Sequence, residues 1–96
     1  MDRGNVNRAF GKALSVRREA AELSRAQFWA RLGWGRNTYQ RTEDGLREAS
    51  IADLIEASTA LNIPPGELLD EVLRRLATGD YPQPSPGREL RRQLGM

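Results

Sequence analysis

The apolar positions along the chain fall into short helical stripes, each closed by a residue that stops helices. Phe10, Leu14 and Ala21 recur at helical spacing, with Ala13 and Ala20 beside them, and predict a helix from Asn7 to about Ala20. Arg17 falls in the same stripe, where its stem packs only if the charged head reaches water. Ser24 and Gln27 have capping-box spacing, and Leu23 and Phe28 the spacing of a hydrophobic staple. A second helix therefore starts after Ser24, with Phe28 and Leu32 on its apolar face and Gly33 at its end. Gly35 to Glu43 predicts a short third helix, Tyr39 inward, stopped by Asp44-Gly45. Ser50 and Asp53 repeat the capping box, and Ile51, Leu54, Ile55, Ser58 and Leu61 form one broad face that Asn62 ends. Pro64-Pro65 opens a fifth helix lined by Leu68, Leu69, Val72, Leu73 and Leu76 and closed by Thr78-Gly79-Asp80.

Nothing in the chain reads as a strand, and there is no internal repeat. The pattern predicts an all-α domain of five short helices over residues 1–78, followed by a Pro-rich linker and basic tail over residues 79–96. Three prolines in residues 82–86 forbid a helix there. Arg88 to Leu94 has the length of one or two helical turns, too few to hold alone in water. This tail reads as a disordered end, as an arm that contacts DNA, or as a segment that docks Leu90 and Leu94 on a partner subunit.

Charge changes the picture more than composition does. The 96 residues carry a net charge of +2, but residues 1–47 hold +5, residues 48–86 hold −5 and the last ten hold +2. A basic half joined to an acidic half suits a polyanion on one side. The chain has no Cys and no His, which removes a disulfide framework and the usual residues for a metal centre or for acid–base catalysis. No apolar run reaches the ~20 residues that span a membrane, and no apolar segment follows the N-terminal Met, so the expected setting is cytoplasmic, with no membrane contact and no cofactor.

The informative stretch is LSRAQFWARLGWGRNTYQRTEDG, Leu23 to Gly45. A nine-residue helix, a turn containing Gly and a second short helix make a helix-turn-helix over residues 24–44. In that unit the second helix enters the major groove and its early residues meet base edges. Here its outward positions are Arg36, Asn37, Gln40 and Arg41. Arg pairs bidentately with guanine, and Asn or Gln with adenine. These are also ordinary residues for a polar surface helix; the Gly turn and the basic half tip the reading toward double-stranded DNA.

The order and spacing of FGKALSVRREAAELSRAQF, LGWGRNTYQRTEDG and SIADLIEASTALNIPPGELL resemble the lambda-repressor-like (Xre or Cro type) helix-turn-helix family, over about residues 10–73. The resemblance implies a compact five-helix lambda-repressor-like DNA-binding domain. It places Arg36, Asn37, Gln40 and Arg41 at base-reading positions. It sets Arg25, Gly35, Thr38 and Arg47 against the DNA backbone, and makes Arg18 and Glu43 a structural ion pair between the first and third helices. The chain departs from the family at Trp29, where a small residue is usual at the crossing of the two motif helices, and at Trp34 in the turn. A tryptophan at position 29 clashes unless something shrinks, and Thr42, where the family has a large apolar residue, is a candidate for that compensation. Both tryptophans read foremost as core.

The fifth helix is apolar on two rows, more than one small core needs. Leu69, Val72, Leu73 and Leu76 are therefore candidates for a homodimer surface, or they only close the core. Taken together, the expected function is a sequence-specific transcription regulator, a phage- or prophage-type repressor acting as a homodimer on a pseudo-palindromic operator. The alternative is an antitoxin or adaptor with a protein partner on the acidic half or tail. An enzyme is not expected, since no catalytic constellation is present.

Overall fold

In the computed structural model, residues 1–83 are described; the readings of Arg88, Leu90 and Leu94 lie outside them. Five helices follow in order: α1 (Arg3–Ala20), α2 (Arg25–Leu32), α3 (Arg36–Glu43), α4 (Ile51–Leu61) and α5 (Pro65–Thr78). Among the described residues there is no strand, and no helix is long and apolar enough to cross a membrane.

The caps explain the boundaries. Ser24 and Ser50 both close full capping boxes, with Gln27 and Asp53 reaching back to the cap amide. Gly33 and Asn62 end α2 and α4 in the left-handed conformation, as does Gly79 after α5. α1 starts four residues earlier than the apolar pattern suggests, because the Asp2 carboxylate accepts from the Gly4 and Asn5 amides. That first turn is polar, so periodicity does not reveal it.

The core gathers one row from each helix: Ala9, Phe10, Ala13 and Leu14 from α1, Phe28 from α2, Tyr39 from α3, Ala57 from α4, and Leu68 and Val72 from α5. Ala20 and Ala21 are exposed, contrary to the predicted stripe, since α1 ends there and leaves the core. α4 keeps part of the expected face: Ser58 is buried and Leu54 and Leu61 pack against the core, but Ile51 is 77% exposed and Ile55 49%. Asp53 and Ala57 are buried in their place. The small Ala57 and Ser58 let α4 lie close to the core, and Asp53 turns inward with its ion pair to Arg47.

Arg17 does not escape to water. It donates to Glu71 at 2.6 Å and to Glu67 at 3.3 Å, and Glu71 in turn holds Arg75. Arg75 extends the chain of charges to Asp80 at 2.6 Å, tying α1 to α5 and to the segment after it. Glu71 and Arg75 are almost wholly buried, so each depends on the other for its charge.

Gly11 permits the closest approach in the fold. A Cβ there would lie 2.5 Å from the Thr42 carbonyl oxygen, so α1 meets the end of α3 backbone to backbone.

Candidate nucleic-acid interface

Tyr39 anchors α3 to the domain. Its ring lies edge-on to Phe28 at 5.5 Å, with Trp29 at 6.2 Å and Trp34 at 6.5 Å. Trp29 is thus accommodated beside Tyr39, half-buried and packed on the core. Thr42, fully buried, turns its hydroxyl to the Thr38 carbonyl at 2.7 Å and lies at the approach that Gly11 allows. With Tyr39 and Thr42 inward, the helical period sends Arg36, Asn37 and Arg41 outward, and all three are exposed. Gln40 and Thr38 are half-buried at the edges of that face. No salt bridge among the described residues involves Arg36 or Arg41. Arg41 makes one long bond, 3.4 Å, to the Leu46 carbonyl.

Gly35 caps α3 without any side-chain bond, and its own amide takes part in no backbone bond of the turn. The first amides of an uncapped helix point outward with the positive end of the helix dipole, which suits a phosphate.

The flanking arginines are held differently. Glu43 accepts from Arg18 at 3.5 Å and from Arg25 at 3.2 Å on the same carboxylate oxygen. The Arg18 and Glu43 side chains are enclosed, whereas Arg25 lies at the surface and meets Glu43 through its Nε. The Tyr39 phenol is buried beside this pair, and burial together with the Glu43 carboxylate raises its pKa well above the ordinary phenol value. Arg47 is fastened to Asp53 at 2.8 Å and to Thr42 at 3.3 Å, and its guanidinium lies 5.3 Å from the centre of the Trp34 ring. The Trp34 indole donates to Glu56 at 2.7 Å. These last contacts have no signature in the sequence, because Asp53 already has a local role as a capping residue and Glu56 has none.

This arrangement is a helix-turn-helix with an exposed reading surface. The profile of the helix-turn-helix domain family matches residues 9–72. The chain belongs to the helix-turn-helix family, Xre type. It is a DNA-binding transcription regulator, of a family that is generally non-enzymatic. Among solved structures it is similar to the restriction-modification controller protein C.AhdI from Aeromonas hydrophila, with 32% identity and a TM-score of 0.60, covering 65% of this chain and 94% of that one. No curated protein matches it.

The predicted dimer face is split by the fold. Val72 is buried and Leu76 is packed against the core, so both belong to the monomer. Leu69 and Leu73 remain about half exposed, and Ile51 and Ile55 of α4 are exposed with them. Ile51 and Leu69 line one shallow apolar groove between α4 and α5.

The acidic half is not a free surface either. Glu48, Asp53, Glu56, Glu67, Glu71 and Asp80 each hold a partner within the chain, and five of these six acids find it in the basic half, on Arg3, Arg17, Trp34 or Arg47.

Proposed function

We propose that the chain is a phage- or prophage-type repressor that binds a pseudo-palindromic operator as a homodimer and acts by excluding polymerase. The observation that carries the reading is the outward face of α3, where exposed Arg36, Asn37 and Arg41 stand clear on a helix anchored by Tyr39. These residues and Gln40 read base edges; each good bidentate pair contributes about 1–3 kcal/mol of discrimination. Arg25, Thr38 and the Gly35 amide contact phosphate on one side of the groove, and the unoccupied edge of the Arg47 guanidinium does so on the other. The likeness to a controller protein supports regulation over a purely architectural role.

The dimer is built on Ile51, Ile55, Leu69 and Leu73, with Val72 and Leu76 supporting the face from beneath. Ile51 and Leu69 share one groove, and Ile55 and Leu73 lie one turn further along the same two helices, an exposure of large aliphatic side chains that a partner would cover. A protein partner on the acidic half is disfavoured because its carboxylates are engaged internally.

Selection of duplexes from a randomised pool tests the reading. An inverted repeat with half-sites about one helical turn apart is the expected product. Equal binding of the selected duplex by wild type and by an Arg36/Gln40/Arg41 triple-alanine variant would remove α3 as the reader.

A further inference from the structure

We propose that Trp34 and Arg47 are positioning residues that fasten both ends of the recognition helix to α4, so that the spacing of the two half-sites is set through α4. Trp34 lies two residues before α3 and Arg47 four residues after it. Trp34 is tied to Glu56 at 2.7 Å, and Arg47 to Asp53 at 2.8 Å. Both acids lie on α4, one turn apart. The two tethers are also joined to each other, since the Arg47 guanidinium stacks over the Trp34 ring at 5.3 Å. α3 is therefore gripped before its first residue and after its last, by one rigid element.

The same element also carries exposed apolar side chains. Asp53 is enclosed, whereas Glu56, Ile51 and Ile55 are exposed, and Ile55 borders the same shallow groove as Glu56. A second copy docked on Ile51 and Ile55 thus rests on the helix that holds both tethers. The tethers convert the geometry of the dimer into the separation and tilt of two recognition helices. Cutting them lets the start of α3 shift while Gly11 and the Arg18–Glu43 pair still hold its end to α1, which loosens the demand on half-site spacing while the base-reading side chains stay the same. The inference rests on the homodimer reading above.

The test uses the full chain and the inverted repeat that the wild type selects, together with duplexes carrying one or two base pairs more or fewer between the half-sites. Trp34→Phe keeps a ring under Arg47 but removes the indole N–H. Glu56→Ala removes the acceptor, and Glu56→Gln retains one. Trp34→Phe and Glu56→Ala are each expected to reduce discrimination between spacings by about fivefold, the worth of one net hydrogen bond, with base preference inside a half-site held. Glu56→Gln keeps an acceptor and is expected to behave as wild type, which ties the effect to the indole hydrogen bond; loss of spacing discrimination without loss of base preference is what a merely local structural role would not produce. Unchanged spacing discrimination in both Trp34→Phe and Glu56→Ala overturns the inference, as does an equal loss of spacing and base preference. If the wild type selects only an isolated half-site, the dimer reading itself falls, and this inference with it.

Discussion

The arginines on the outward face of α3 and those around its rim have the same chemistry but opposite surroundings. Arg36 and Arg41 stand exposed without a carboxylate, while Arg18, Arg25 and Arg47 each rest on Glu43 or Asp53. The difference teaches which charge is available to an outside partner and which is consumed in holding the frame. It also resolves the split in net charge along the chain. The acidic half does not repel a polyanion from a separate lobe; most of its carboxylates reach back and hold basic side chains, and among the described residues no carboxylate pairs with Arg36 or Arg41 on the face of α3.

The largest effect should come from stripping the free face. An Arg36/Gln40/Arg41 triple-alanine variant is expected to lose about a thousandfold in affinity for the selected operator, from three base contacts, with its melting temperature unmoved. Gel shifts and thermal melts together check both halves of that statement. A buried pair should behave in the reverse way. Glu71→Ala removes the buried carboxylate shared by Arg17 and Arg75, leaving Arg75 only the exposed Asp80, and is expected to cost about 3 kcal/mol of stability, read by denaturant unfolding, whereas Asp70→Ala beside it should change nothing measurable. An Ile55→Asp/Leu73→Asp double variant should weaken self-association by about 2 kcal/mol, from lost apolar burial, seen as monomer in sedimentation; an unchanged sedimentation coefficient would place the dimer elsewhere.

Arg25→Ala sharpens the comparison from between the two classes, since Arg25 rests on Glu43 yet remains at the surface. Its binding should fall modestly for every sequence alike, and the salt dependence of affinity should lose about one unit of slope. Loss confined to certain base pairs would move Arg25 onto the reading face. The smallest effect is expected from Tyr39→Phe. The phenol is buried without a geometric hydrogen-bond partner, so its removal at neutral pH should stay within about 1 kcal/mol. The raised pKa gives the sign at alkaline pH. The folded state holds the neutral phenol, so its contribution is complete below the ordinary value of about 10 and is lost as pH rises above it. Melts across that range should flatten in the Phe variant.

The helices were legible because their boundaries are local. Ser24 with Gln27, Ser50 with Asp53, and Gly33, Asn62 and Gly79 each act within a few residues. The inward placement of Tyr39 followed from the same periodicity. What stayed hidden is tertiary. Arg17 looked like a flaw in an apolar stripe because its partners, Glu67 and Glu71, are about fifty residues away. Ile51 and Ile55 looked like core because size was weighed, whereas Asp53 and Ala57 are buried in their place and Asp53 meets Arg47. Trp34 was legible as unusual and as partly buried, but its acceptor on Glu56 has no signature at a spacing of 22 residues.

The contact at Gly11 has one more consequence. It joins α1 to α3 through main chain alone, and main-chain atoms are the same whatever residues α3 carries. On the proposed reading the mount and the reading head are thus separable: exposed side chains at positions 36, 37 and 41 can change without altering this main-chain contact. A single scaffold of this kind can be retuned from one operator to another by surface substitutions, whereas any side chain added at position 11 would dismount the head for every operator at once.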